Sequence, residues 1–91
     1  MKTTKLIPQF VEFIPELLED GIIYISNPYK IAIHLCACGC GNQTVTPFNS
    51  PTEWNLTVDE LDVISLSPSI GNFQFPCKSH YWIKRNVVEW C

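Results

Sequence analysis

The segment His34-Leu35-Cys36-Ala37-Cys38-Gly39-Cys40-Gly41 constrains the fold of this chain more than any other stretch. Three of the five cysteines fall here at alternate positions, with a histidine two residues ahead. Thiolate sulfur and neutral imidazole are the ligands zinc prefers. Three cysteines so close together cannot close a four-ligand shell, and Cys77-Lys78-Ser79-His80 carries the missing donor at Cys-x-x-His spacing. A cation held by both segments would pin the two halves of the chain together. Glycines at 39 and 41 fit that role, because a backbone wrapped around an ion needs residues free to adopt positive φ.

Six donors are available: Cys36, Cys38, Cys40, Cys77, His34 and His80. On a strand, side chains at i, i+2 and i+4 share a face, so His34, Cys36 and Cys38 project together while Cys40 arrives from the turn. A structural zinc takes four ligands. The set favoured is Cys36, Cys38, Cys40 and Cys77, with His80 the leading substitute and His34 the other. The competing reading is four buried thiols packing as small hydrophobes. Cys91, the last residue, stands apart from either pattern.

A chain of 91 residues forms one domain whose core is marginal. Chains not much shorter commonly need a metal, a disulfide or a partner. The hydrophobic fraction of 46% is that of a globular protein. Six basic and nine acidic residues give a net charge of −3, and the densest basic pair is Lys84-Arg85. Nucleic acid is therefore not an expected partner. No apolar run reaches the roughly 18–20 residues that span a bilayer, and Met1–Gln9 lacks the apolar core of a signal peptide. A cytoplasmic location is expected. A reducing compartment and an odd cysteine count both argue for metal or catalytic use of the thiols rather than disulfides. The Asn-x-Thr triplets at Asn42 and Asn55 carry no meaning there.

Residues 1–9 read as a loose lead-in and residues 10–91 as a single zinc-stabilised β domain. Strands are predicted over 10–14, 22–26 and 29–36, the last two as a hairpin about Asn27-Pro28. Further strands are predicted over 43–46, 54–58 and 63–66, with a terminal hairpin over 81–90. Pro15–Gly21 is at most one helical turn. Ser67–Asn72, rich in breakers, reads as a loop. The fold class is mainly β: a small single-domain antiparallel sheet and hairpin fold stapled by zinc.

With four sulfurs on the metal, both histidines are left over and the zinc has no open position for catalysis. A hydroxyl activated by an imidazole base is then the available chemistry. Ser69 in the Pro/Gly-rich loop is the candidate nucleophile and His80 the candidate base. Ser79 adjoins His80, but neighbours on a strand point to opposite faces. No acid is clearly placed to orient the histidine; Asp59, Asp62 and Glu89 are the options. The bland alternatives are a turn serine bonding its own backbone and a satisfied core histidine. Phe73, Phe75, Tyr81, Trp82 and Trp90 gather near the second ligand segment, mostly as expected core.

Taken together, Phe10–Pro15, Leu18–Ser26, His34–Gly41, Val45-Thr46-Pro47, Pro68–Asn72 and Cys77–Ile83 resemble one family of short bacterial domains of zinc-binding type and unknown function. The similarity runs from Phe10 to Trp90. Its members are encoded beside ubiquitin-like proteins and relatives of ubiquitin-activating and ubiquitin-conjugating enzymes. The resemblance implies a role in a bacterial ubiquitin-like conjugation pathway, with the ubiquitin-like protein or its activating or conjugating enzymes as partners. The first expectation is a zinc-binding accessory module that docks a pathway component. The alternative is a small Ser/His hydrolase, a protease or deconjugase, that processes the ubiquitin-like protein through Ser69 and His80. A weaker third reading is an iron–sulfur or redox site.

Overall fold

The computed structural model describes residues 3–49 and 53–91. Among the described residues, eight strands form two four-stranded sheets. The first sheet holds β1 (Ile7–Phe10), β2 (Ile22–Ser26), β3 (Ile31–Leu35) and β4 (Gln43–Pro47), in that order. The second holds β5 (Asn55–Val58), β6 (Ile64–Gly71), β7 (His80–Lys84) and β8 (Val87–Trp90), again in sequence order. No helix occurs among the described residues, so no helix is long and apolar enough to cross a membrane.

Alternation drives both sheets. Ala32 and His34 turn inward from β3, Tyr81 and Ile83 from β7, and Val88 from β8. Of these, Ala32, Tyr81, Ile83 and Val88 join Ile23, Ile25, Phe48, Ile64, Leu66 and Ile70 in one cluster between the sheets. β4 sends Thr44 and Thr46 inward, and each hydroxyl finds a buried acceptor, Asn72 Oδ1 at 3.2 Å and the Ala32 carbonyl at 3.0 Å. Buried hydroxyls need such partners. The β7–β8 hairpin turns through Arg85 and Asn86, both at positive φ, as a two-residue turn matched to strand twist requires.

The N-terminal stretch departs from expectation. Leu6 is fully buried in the core, and β1 begins at Ile7, so residues 3–9 are woven into the fold rather than forming a loose lead-in. β1 also pairs with β2 in parallel, whereas the other strand pairs among the described residues are antiparallel. The strand predicted over 10–14 ends at Phe10. Phe10 pairs with Ile25, near the end of β2, whose hairpin turn follows at once; beyond Val11 there is no partner strand left to follow. Residues 11–20 form no regular element and lie across β2, where the Glu12 carbonyl accepts from Ser26 Oγ and the Glu19 amide donates to the Tyr24 hydroxyl.

Ser67–Gly71, expected as a loop, belongs to β6. Pairing with β7 matches Leu66 to Ile83 and Ile70 to Tyr81, so four steps on β6 span two on β7. This bulge absorbs the breakers: Pro68, which has no N–H to donate, sits where the ladder is already interrupted. The Ser67–Pro68 peptide bond is cis.

Candidate functional site

Two constellations of side chains lie within a few residues of each other at one end of the second sheet. The first is the sulfur cluster. Cys36, Cys38 and Cys40 follow β3, and Cys77 arrives from the turn that precedes β7. Gly39 and Gly41 both sit at positive φ, the conformation that lets the chain double back and aim three sulfurs at one point. All four sulfurs lie within 4.8 Å of one another. Cys36 Sγ is 3.5 Å from Cys38 Sγ and 3.9 Å from Cys77 Sγ, and Cys40 Sγ is 3.8 Å from Cys77 Sγ. A tetrahedral ion with metal–sulfur bonds of ~2.3 Å would hold its ligands about 3.8 Å apart. The four cysteines therefore fit a metal ion, and no disulfide joins them.

The thiols do not share one environment. The Ser79 amide and hydroxyl hold Cys77 down to about 6, and the Asn42 amide lowers Cys40, whereas burial and the neighbouring thiols push Cys38 up to about 12. His34 and His80 stand outside the cluster. His34 is fully buried between the sheets, with Nε2 2.7 Å from the Tyr81 hydroxyl, and burial holds its pKa down to about 4. It is a neutral core residue. Cys91 is exposed at the chain end.

The second constellation pairs Ser69 with His80. Ser69 Oγ lies 2.8 Å from His80 Nε2. The bulge in β6 and its return to register at Ile70 make this possible. Gly71 stands opposite His80, so Ser69, two residues earlier, lies diagonally across on the same face. That face is the outer one: Tyr81 and Ile83 are buried while His80 and Trp82 are half-buried. Glycine at 71 leaves the space beside the imidazole open, and the Phe73 ring fills part of it, edge-on to His80 with centroids 5.3 Å apart.

None of the three acids considered from sequence is hydrogen-bonded to His80. Asp59 is committed to the Leu61 and Val63 amides and to Arg85, and Glu89 pairs with Lys84. Asp62 sits in the turn closed by Asp59. Ser79 faces inward, as alternation requires, 3.0 Å from Cys36 Sγ.

Asn72 and Tyr81 join the two constellations. Asn72 Nδ2 donates to Ser79 Oγ at 2.9 Å, and its backbone N–H donates to the Ser79 carbonyl at 2.8 Å. Ser79 in turn touches Cys36 and Cys77. The end of β6 and the start of β7, which carry Ser69 and His80, are thus both tied to the sulfur cluster.

A family model described as bacterial ubiquitination-like system serine protease (BubE) matches residues 10–91. The chain belongs to this family. It is therefore a member of a bacterial ubiquitination-like system whose family description is that of a serine protease. This replaces the expectation of a family without an assigned activity. No curated protein and no solved structure matches the chain.

From sequence alone Phe73 and Tyr81 read only as expected core, and Asn72 and Gly71 only as part of the Ser67–Asn72 loop. The signal for Asn72 and Gly71 is Ile-Gly-Asn, in a stretch that reads as a loop. Their role depends on β6 continuing through that stretch.

Proposed function

We propose that this protein is a Ser/His hydrolase that cuts the tail of a ubiquitin-like protein, with Ser69 as nucleophile and His80 as general base. The observation that carries the reading is the 2.8 Å contact between Ser69 Oγ and His80 Nε2, within a family described as serine proteases. That distance lies in the range needed for proton transfer. With His80 in the Nδ1–H tautomer, Nε2 accepts the serine proton. Ser69 Oγ then bonds to the scissile carbonyl carbon, and His80 passes the proton to the departing amine as the C–N bond breaks. Water, deprotonated by the same imidazole, cleaves the acyl ester, releases the acid and restores the serine. The pair works as a dyad, with Phe73 and the absent side chain at Gly71 fixing the imidazole in place of a carboxylate.

Cys36, Cys38, Cys40 and Cys77 hold zinc in this reading, as a cross-link between the sheets. Four sulfurs fill a tetrahedral shell, so the ion supplies stability rather than a site for substrate. Ser79, which touches Cys36 and Cys77, and Asn72, which bonds Ser79, hold the strand ends in register and would carry that support to the dyad.

The test is incubation with a tail-extended ubiquitin-like protein of the same system. Wild type cleaves it; Ser69→Ala and His80→Gln do not, while keeping metal content and melting temperature. A Ser69→Ala variant that cleaves at the wild-type rate removes the nucleophile assignment. Binding of the partner without cleavage by wild type would favour the docking-module reading instead.

A further inference from the structure

We propose that the substrate binds as an extended chain added to the open edge of β6, in the cleft between β6 and β4, which delivers its main chain to Ser69. This rests on the hydrolase reading.

The argument begins with the hydrogen-bond ladder. The Asn72 N–H donates to the Ser79 carbonyl, so Asn72 faces β7. Antiparallel pairs alternate, which places Gly71 in a non-hydrogen-bonded pair with His80 and turns its N–H and C=O away from β7. On that side the neighbour is β5, but β5 stops pairing at Ser67, opposite Asn55. No strand among the described residues pairs with β6 there beyond Ser67. Among the described residues, the edge is open at the positions that follow Ser69.

A second open edge faces it. β4 is the last strand of the other sheet, and among the described residues its outer side is unpaired from Gln43 to Thr46, up to the point where the Pro47 carbonyl accepts from the Trp54 N–H. Between the two lies a cleft of about 180 Å³ lined by Gln43, Val45, Trp54, Ile70, Gly71 and Phe75, among others. The Thr44–Asn72 hydrogen bond ties its two walls together. Trp54 contributes a buried indole N–H with no hydrogen-bond partner among the described residues.

The size and shape select the occupant. The volume of about 180 Å³ is small. It is well below the ~300 Å³ at which compact small-molecule sites begin. A narrow peptide in strand conformation meets these limits and supplies what both edges lack, a row of amides and carbonyls. Alternate side chains of the added strand enter the cleft, while the others lie on the outer face with Ser69 and His80. A peptide running past Gly71 therefore passes its carbonyls beside the nucleophile.

The test compares two reactions of one protein. Cleavage of the tail-extended ubiquitin-like protein needs the cleft; labelling of Ser69 by a small fluorophosphonate needs only the dyad. Val45→Arg places a long side chain across the cleft from a position 46% exposed. We expect it to lower kcat/KM for cleavage about tenfold or more, chiefly through KM, with labelling within about twofold of wild type. Gln43→Trp, also on the exposed side of β4, serves as a second block. Wild-type protein is also given synthetic peptides spanning the cleaved bond, each N-methylated at one amide. Strand addition predicts about tenfold loss at alternate positions and tolerance between them. Unchanged cleavage by both variants, or tolerance of N-methylation throughout, overturns the proposal while leaving the dyad standing. Absence of both labelling and cleavage in wild type overturns the hydrolase reading and takes the cleft proposal with it.

Discussion

Replacing Tyr81 by phenylalanine removes one buried oxygen from the contact between the two sheets. Three groups meet that oxygen: His34 Nε2 at 2.7 Å, the Ala37 N–H at 3.4 Å and Asn72 Nδ2 at 3.4 Å. A phenol donates one bond and accepts others, so the amides of Ala37 and Asn72 donate to the oxygen and the hydroxyl donates to His34. That leaves the proton on His34 Nδ1, which is buried and has no partner. In Tyr81→Phe the imidazole loses its single hydrogen bond. Asn72 keeps its bond to Ser79, and the Ala37 contact is long. The cost is thus dominated by one newly unsatisfied buried group, about 1–3 kcal/mol. At ~4–8 °C per kcal/mol for a chain of this size, a 2 kcal/mol loss lowers the melting temperature by roughly 8–16 °C. Urea and thermal unfolding of the metal-loaded variant measure this. Because Tyr81 points inward and His80 outward, fluorophosphonate labelling of Ser69 well below the transition stays within about twofold of wild type. A loss under ~0.5 kcal/mol, within the range of surface substitutions, would refute the claim that the Tyr81–His34 bond holds the sheets together.

Cys77→Ser removes the one sulfur supplied by the second half of the chain; elemental analysis should show loss of tightly bound metal, and chelator-resistant folding of the variant would count against a cross-linking ion. Gly71→Ala sets a Cβ against the Phe73 ring, a side chain exposed enough to swing away. The fold should survive, while cleavage falls severalfold as the imidazole loses its edge-on support; an unchanged kcat would remove Phe73 as a positioning residue. Asp59 is held below the usual carboxylate range, first by the Val63 and Leu61 amides and then by Arg85. Its folded pKa lies below its unfolded one, so the stabilisation is present above the unfolded pKa of ~3.9 and is lost as pH falls below it. Asp59→Asn should flatten that part of the acid-unfolding profile, and an identical profile would dismiss the loop contribution.

The sequence of this protein determined a good deal by itself. Short apolar runs bounded by turn residues specified β2, β3, β7 and β8 to within a residue or two, because apolar content and turn chemistry are both local. The grouping of Cys36, Cys38, Cys40 and Cys77 was readable because sulfur donors at that spacing have few other uses, and the glycines between them had to turn the chain. What the tertiary structure alone decided were the non-local pairings. Leu6 became core and β1 a strand because β2 offered a parallel edge, which no local pattern encodes. Ser67–Gly71 became strand because β7 lies alongside it, overriding the turn propensity of Pro68 and Gly71. The distance from Ser69 to His80 exists only through that pairing: eleven positions apart in sequence, they meet because a bulge resets the register before Ile70. A side chain's type is set by the chain, but which residue it faces is set by strands that pack from elsewhere in it.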